Sequence, residues 1–409
     1  MISNILNIID MKRANTILTI ILLVIAGCEG NGQSTGDFIT VDVTKSYQTK
    51  DLILQDFMDV EYIALETTDE FINEGIVLAV GNEIILIGNR SDMGDIFVYD
   101  RTGKGLRKIN RSGRGPGEYM AISGIVLDEE NGELFLIDPF SGIIVYDIYG
   151  NFRRSFNPKD RTRFEHAYNY GNDHLICLGA PPFGRNSVST ASSFLIVSKH
   201  DGSINNEIHI PFVKGKVPTG VQIRTDDGTW IMTVMTSFFH SLIPYHSDWM
   251  LTEASSDTVY RYLQNNIIRP FIVRTPPRQT MSQETLLFPG ILTDRYYFMI
   301  VLKEDNGAES PWPTMSGTPV MTTTSLVYDQ QERIISEPTV YNGDFSDKRQ
   351  VSMFQKTADN SKIAFWLKIE AHELINDFKK GVLNGKLKEI AAKLNEDDNP
   401  IIMLVKYKN

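Results

Sequence analysis

The chain has 409 residues, of which 42% are hydrophobic and 22% are charged, an ordinary balance for a globular protein. Its formal net charge of −11 argues against nucleic-acid binding, which needs a basic surface. Neither Cys28 nor Cys177 belongs to a Cys-x-x-Cys motif, and no His-x-His pair occurs. The sequence therefore predicts no metal site and no cofactor.

The N-terminus has the three parts of a secretory signal. Lys12 and Arg13 are basic, residues 16–26 are mostly apolar, and small residues precede Cys28. A cysteine after Ile-Ala-Gly resembles a bacterial lipobox, in which this cysteine is lipidated after cleavage. We expect a lipoprotein signal peptide at 1–27 and attachment to the outer membrane through Cys28, on the periplasmic or the surface leaflet. A plain secretory signal or a membrane anchor is the alternative.

The region after Cys28 is polar and rich in glycine up to Asp37, which is typical of a flexible tether. We predict a tether over residues 28–57 and a folded domain over residues 58–409.

A repeated pattern runs through residues 95–156. Each copy has an apolar strand, a Tyr-Asp pair, a turn that contains glycine, and a further strand. Tyr99-Asp100 recurs as Tyr146-Asp147, 47 residues later, which is the period of a four-stranded propeller blade. The predicted strands of the first two blades are 76–80, 83–88, 95–100, 106–109, 124–128, 133–138, 143–147 and 152–156. A weaker third unit follows, and at about 47 residues a blade the chain fits six blades with insertions.

The periodicity changes near the C-terminus. Residues 370–378 and 386–394 have helical composition, and 401–406 (IIMLVK) is a final strand. A propeller must leave no open edge. We therefore expect 401–406 to pair in the same blade as the strand near Tyr62, so that N-terminal and C-terminal strands complete one blade.

Four segments resemble, in the same order, the six-bladed β-propeller lipoproteins of Bacteroides-type bacteria, a family related in architecture to NHL-repeat propellers. They are EYIALETTDE, YDRTGKGLRKINRSGRGPGEY, DTVYRY and LNEDDNPIIMLVKYK. The resemblance covers most of residues 60–409. It implies an all-β fold, a six-bladed β-propeller with a short helical insertion near the C-terminus. It implies little about activity, because propellers include both binding proteins and enzymes.

The loop RSGRGPGEY, residues 111–119, is the most distinctive candidate site. Its glycines allow a close approach to a ligand, and Arg111 and Arg114 are suited to bind a carboxylate or a phosphate. Loops between blades are expected beside the central channel, so we predict a ligand site at Arg111, Arg114, Glu118 and Tyr119. The alternative is a structural connector held by an Arg–Glu pair.

Other candidate groups are weaker. His372-Glu373 lacks the second histidine of a zinc protease motif, and Cys177 lies in an apolar strand that predicts a buried thiol. A metal in the channel would need acids such as Asp138 and Asp294 to converge. The aromatic stretches 237–249 and 288–298 favour core strands over a sugar-stacking surface.

No catalytic set is recognisable, which favours a binding module for a small ligand, a glycan or an envelope protein. The alternative is an NHL-like hydrolase or lyase with its active site in the central channel.

Overall fold

The computed structural model describes residues 38–89, 94–157, 163–180, 193–211, 220–224, 230–235, 241–308, 318–359 and 362–408. The first strands are β1 (Ile39–Asp42), β2 (Thr49–Ile53), β3 (Met58–Ala64), β4 (Ile76–Val80), β5 (Ile84–Gly88), β6 (Asp95–Asp100), β7 (Gly105–Asn110), β8 (Gly124–Asp128), β9 (Glu133–Asp138), β10 (Gly142–Asp147), β11 (Phe152–Phe156), β12 (Arg163–Tyr170), β13 (His174–Ala180), β14 (Ser193–Ser198) and β15 (Ile204–Ile208).

The remaining strands are β16 (Gly220–Arg224), β17 (Trp230–Met235), β18 (Leu242–Tyr245), β19 (Asp248–Leu251), β20 (Thr258–Tyr262), β21 (Ile268–Thr275), β22 (Thr285–Leu292), β23 (Tyr296–Glu304), β24 (Val320–Asp329), β25 (Ile334–Tyr341), β26 (Ile363–Ile369) and β27 (Ile401–Tyr407). The described helices are α1 (Leu54–Phe57), α2 (Ala371–Lys380) and α3 (Gly385–Ala391), with a short 3-10 turn at Arg278–Thr280.

The strands form a six-bladed β-propeller. Blades 1, 2 and 3 are the meanders β4–β7, β8–β11 and β12–β15, and blade 4 contains β18–β21. Blade 5 contains β22–β25, and the hairpin β16–β17 extends it through parallel pairing with β24. Blade 6 contains β26, β27 and β3. The predicted fold class, including the helical insertion, is confirmed.

Six hydrophobic cores lie between neighbouring blades and close the ring. Blades 1 and 2 share one core, blades 2 and 3 the next, and so on to the core between blades 6 and 1. Because each blade packs against two neighbours, its inner strands are buried on both faces, as in β5, whose five residues are all buried. Outer strands such as β7 alternate between exposed and covered positions.

Blade 6 joins the two ends of the chain. Strand β27 pairs antiparallel with β3, and Met403 lies opposite Tyr62. The predicted closing strand is therefore confirmed. Helices α2 and α3 form the connection between β26 and β27, and the left-handed Gly381 ends α2 at φ 73°.

The predicted tether boundary at residue 57 is wrong. Strand β1 pairs in parallel with β21 at the outer edge of blade 4, and β2 pairs in parallel with β25 at the edge of blade 5. Leu54 and Met58 are fully buried in the core between blades 5 and 6. The backbone groups of these short segments complete sheet edges, and neither segment is long enough for its sequence pattern to indicate this pairing. The predicted tether over residues 28–37 lies outside the described residues, as do Cys28 and the signal peptide.

The Tyr-Asp repeat fixes the turn between the third and fourth strands of a blade. The Oδ1 of Asp100 accepts hydrogen bonds from the backbone N–H of Thr102 at 2.8 Å and of Lys104 at 3.1 Å. Gly103 adopts φ 87°, and a Cβ there would lie 2.0 Å from the carbonyl oxygen of Ala64. Asp147 and Gly150 repeat this arrangement in blade 2. The motif is therefore structural.

An irregular segment, residues 351–359, takes the inner position of blade 6. Its backbone is hydrogen-bonded to blade 5 and to the next strand of blade 6. The Met353 carbonyl accepts a hydrogen bond from the N–H of Ile291 in blade 5, and the Ala358 N–H donates to the carbonyl of Ala364 in β26. The Thr357 hydroxyl also lies 3.2 Å from the hydroxyl of Tyr168 in blade 3. Since blades 3 and 6 are opposite in a ring of six, this segment crosses the central channel. We call it the channel segment.

Candidate functional site: the mouth of the central channel

All six blades contribute to a cavity of about 810 Å³ at one end of the channel. It lies at the end where the first strand of each blade turns into the second. The turns of blades 1 to 5 each place a polar residue on its wall, and blade 6 adds the end of the channel segment and the C-terminus. These wall residues include Asn82, Glu130, Asn172, His246, Asp294, Asp359 and Lys408. We call this cavity the mouth.

At the base of the mouth, Asn169 of β12 binds Asp359 of the channel segment. The Oδ2 of Asp359 accepts the backbone N–H of Asn169 at 2.9 Å and its Nδ2 at 2.8 Å. Burial raises the pKa of Asp359 to about 7, against the opposing effect of these hydrogen bonds and of the nearby Lys199 charge. A carboxyl group that changes its charge near neutral pH therefore faces the cavity.

A buried ion pair lies beside this base. Lys199 Nζ donates to Asp128 Oδ2 at 2.7 Å, and the two side chains are only 5% and 6% exposed. Burial alone would raise the pKa of Asp128, but hydrogen bonds from Lys199 and Asn131 hold it below its usual value. The pair connects the third strand of blade 3 to the first strand of blade 2, and it fixes the wall on that side.

The opposite wall combines aromatic rings with an exposed pair. His246 Nε2 lies 3.0 Å from Asp294 Oδ1, and both side chains are more than half exposed. Phe57, Trp249 and Tyr407 also line the cavity. The mouth thus offers apolar rings next to amides and carboxylates, the usual composition of a small-molecule site.

Deeper in the channel, His166 and Lys356 line a second, smaller space between the inner strands and the channel segment. Burial, together with the charge of Lys356, lowers the pKa of His166 to about 4. Burial also lowers the pKa of Lys356. The imidazole is therefore neutral at physiological pH.

The four predicted ligand residues lie in a connector at the periphery, between blades 1 and 2. Arg111 Nε donates to the Gly150 carbonyl at 3.0 Å, and Glu118 accepts the N–H of Gly115 at 2.7 Å. Tyr119 is buried and donates to the carbonyl of Gly94, while Arg114 is exposed. None of the four is among the residues that line the mouth or the channel space.

The expectation that this loop borders the channel is therefore wrong. The loop follows the outer strand of blade 1. It lies beside the turn between the third and fourth strands of blade 2, which contains Gly150, and is therefore away from the axis. Ligand binding by the four residues themselves stays a prediction.

The other groups singled out in the sequence do not assemble into a site. Asp138 accepts the backbone N–H groups of Met120 and Phe140, whereas Asp294 pairs with His246, so the two acids do not converge. Within the described ranges, no group of three or more His, Cys, Asp and Glu side chains could hold a metal ion. Cys177 is fully buried, and burial raises its pKa. His240 lies outside the described residues.

The residues of the mouth were not identified from the sequence, although one signal pointed to its loops. Gly81-Asn82 and Gly171-Asn172 are turn dipeptides that follow inner strands, and both turns reach the mouth. Turn composition locates such a loop along the chain. It does not show that Asn169 and Asp359, which are 190 residues apart, meet at the base.

A family model matches residues 38–406, nearly the whole described chain. The chain belongs to the family described as Domain of unknown function (DUF4934). The matched region begins where strand β1 begins, in agreement with the corrected domain boundary. No curated protein matches the sequence.

A crystal structure described as a "Putative exported protein" from Bacteroides fragilis NCTC 9343 shares the fold of this family member. It is 14% identical, covers 90% of this chain and 99% of its own, and has a TM-score of 0.53. At this identity the likeness concerns the fold alone. Virginiamycin B lyase from Staphylococcus aureus is 12% identical over 68% of this chain and 88% of its own, with a TM-score of 0.34. In the part of the chain that the structure describes, no helix is long and apolar enough to cross a membrane.

Proposed function

We propose that the protein is a binding module of the cell envelope and that the mouth binds a small polar ligand. The observation that carries this proposal is the cavity of about 810 Å³ to which all six blades contribute. Its volume falls within the range of about 300–1,000 Å³ that is typical of small-molecule sites. Rings such as Trp249 and Tyr407 stand beside amides and carboxylates, a composition that suits a sugar-sized compound with an apolar face and polar edges.

The closed base of the mouth supports binding within the cavity. The channel segment crosses from blade 6 to blade 3, so a ligand that enters the mouth meets Asn169 and Asp359. These two groups are held by hydrogen bonds before any ligand arrives. Such preorganisation lowers the entropic cost of binding.

The proposed location is the outer membrane, with Cys28 as the lipidated residue. Strand β1 begins at Ile39, eleven positions after Cys28, so the intervening chain can span at most about 40 Å. The propeller would then stay close to the bilayer surface. The expected result is lipid-modified Cys28 in the intact mass of membrane-extracted protein, and a soluble, unmodified Cys28→Ser variant. An unmodified Cys28 in membrane-extracted protein would contradict this location.

The enzymatic alternative, a hydrolase or lyase with its active site in the channel, remains a prediction. Its candidate base would be His166, but an imidazole with a pKa of about 4 is a weak base at neutral pH. The binding module is therefore the function that the geometry supports best.

The test blocks the mouth without disturbing the blades. Asn172 is exposed at the rim, so Asn172→Trp should fill the entrance while the protein still folds. Asn306 is exposed in a turn at the opposite end of blade 5, and Asn306→Trp is the matched control. Glucose, glucosamine, N-acetylglucosamine and glucuronate serve as probes in ligand-observed NMR. We expect at least one probe to bind the parent and the control, and to bind Asn172→Trp at least about tenfold more weakly. Equal binding to all three proteins would place the site elsewhere and overturn the proposal.

A further inference from the structure

The cationic side chains of the mouth are already paired with acceptors within the protein. In the described chain, each basic side chain on its wall donates to a carboxylate or a carbonyl oxygen. These contacts are Lys199 Nζ to Asp128 at 2.7 Å, Arg295 to Asp329 at 3.0 Å, Lys408 Nζ to the Asp56 carbonyl at 3.0 Å and His246 Nε2 to Asp294 at 3.0 Å. A ligand that enters the mouth therefore meets no cation without a partner among the described wall residues, which disfavours anions.

An acceptor at the base, in contrast, has no partner. Asn169 donates its backbone N–H at 2.9 Å and its Nδ2 at 2.8 Å to the same oxygen of Asp359, Oδ2. Within the described part of the chain, the other carboxylate oxygen, Oδ1, accepts no hydrogen bond. Asp359 is partly exposed and lies on the wall of the mouth, so a donor on a ligand can reach this carboxylate.

Asp359 adds a carboxyl group whose charge is poorly compensated. The cation whose charge acts to lower its pKa, Lys199, is bound to Asp128. Asp359 receives hydrogen bonds from Asn169, but burial still raises its pKa to about 7. A bound cation would favour the carboxylate, because opposite charges stabilise each other strongly where water is excluded.

The rest of the wall also favours cationic ligands over anionic ones. The described wall residues include six carboxylates and three permanently charged cations, although Asp128, Glu129 and Asp294 already have partners within the protein. The carboxylates are Asp56, Asp128, Glu129, Glu130, Asp294 and Asp359. Aromatic rings complete the wall, and their faces also attract cations.

We infer that the mouth selects ligands that carry a primary ammonium group, with the ammonium held by the Asp359 carboxylate. This inference rests on the proposed function and names the ligand class of the same site. An ammonium has three donors and no acceptor, so it matches a carboxylate that still has a free oxygen. An amino sugar and the amino group of an amino acid both supply this chemistry.

The central comparison is between two sugars that differ only at the amine, and two further probes test an anion and an amine that is not on a sugar. Isothermal titration and ligand-observed NMR measure glucosamine, its neutral relative N-acetylglucosamine and the anion glucuronate, and lysinamide tests an amine that is not on a sugar. We expect glucosamine to bind at least about tenfold more tightly than N-acetylglucosamine, and glucuronate to bind most weakly. Tighter binding of lysinamide than of glucosamine would point to an amino-acid source for the amine, with the ammonium site unchanged.

The decisive variant is Asp359→Asn, whose side-chain oxygen can still accept both hydrogen bonds from Asn169. In this variant, glucosamine should bind at most about twofold more tightly than N-acetylglucosamine. Glu130→Gln, at an exposed wall position, should weaken the preference without any effect on folding. Glu373→Gln makes the same charge change on the exposed face of α2 and should leave the preference intact.

The outcomes separate the two proposals. If N-acetylglucosamine or glucuronate binds as tightly as glucosamine and Asn172→Trp abolishes that binding, the ammonium site is wrong and the proposed function stands. An unchanged preference in Asp359→Asn also overturns the inference. If no probe binds at millimolar concentration, both proposals fail.

Discussion

At the residue scale, burial in the central channel shifts the pKa values of His166 and Asp359 in the direction that favours their neutral forms. His166 is held neutral by burial and by the Lys356 charge, and Asp359 has its pKa raised by burial. Both effects arise because the inner strands and the channel segment replace water around these side chains. The two groups affect stability in opposite directions as the pH changes.

His166 gives the clearer pH prediction. The unfolded chain binds a proton at this histidine near pH 6.5, but the folded protein binds it only near pH 4. The unfolded state therefore holds more protons between these values, and stability falls as the pH drops through this window, by up to about 3 kcal/mol. As the pH falls from 7 to 4.5, the free energy of unfolding of His166→Gln, measured in urea, should rise relative to that of the parent. His372→Gln, at an exposed helical position, is the control. An identical pH profile for parent and His166→Gln would contradict the assignment.

At the element scale, turns at the mouth connect neighbouring blades. The carboxylate of Glu129 in blade 2 accepts the N–H groups of Asn82 at 2.6 Å, Glu83 at 2.9 Å and Ile84 at 3.1 Å in blade 1. The Lys199–Asp128 pair makes the equivalent connection between blades 3 and 2. These contacts hold the turns that form the mouth.

The Lys199–Asp128 pair yields a prediction about stability. Lys199→Met leaves the buried Asp128 without its cation and should lower the free energy of unfolding by about 3–5 kcal/mol. The double variant Asp128→Asn, Lys199→Met removes the uncompensated charge and should recover more than half of this loss. Urea denaturation at pH 7 measures both, and Lys386→Met at an exposed position of α3 is the control. Equal losses in the single and double variants would show that packing, and not charge, determines the effect.

At the scale of the whole molecule, the two ends of the chain hold the ring together. Strand β27 closes blade 6 against β3, and β1 and β2 cover the outer edges of blades 4 and 5. The sequence before residue 58 is therefore part of the folded domain. An open strand edge is a site for aggregation.

Truncation tests this boundary. A chain that begins at residue 38 should be monomeric and should unfold in one cooperative transition. A chain that begins at residue 58 loses the buried Leu54 and both edge strands, and it should have a clearly lower Tm and form aggregates. Loss of Leu54 alone, through Leu54→Ala, should cost about 2–5 kcal/mol. Size-exclusion chromatography and thermal unfolding measure these effects. Equal stability of the two truncated chains would restore the boundary at residue 57.

The sequence by itself determined the features that depend on neighbouring residues. The Tyr-Asp and glycine turns set the blade period because Asp100 and Gly103 act within a few residues of each other. The apolar strand 401–406 could be assigned to the same blade as the strand near Tyr62, because a propeller must leave no open edge. Blade number and fold class followed from the same local signals.

Only the tertiary structure decided where the site lies. Asn169 and Asp359 meet across the channel because ring closure places blade 3 opposite blade 6. Arg111 follows the outer strand of blade 1 and binds the Gly150 carbonyl away from the axis, although its loop has the composition of a ligand site. Strand β2, TKDLI, pairs with β25, which is almost 290 residues away in the sequence, and its one buried side chain, Leu52, is too weak a signal to predict that pairing. Local patterns specify strands and turns, whereas contacts between distant residues exist only once the ring has closed.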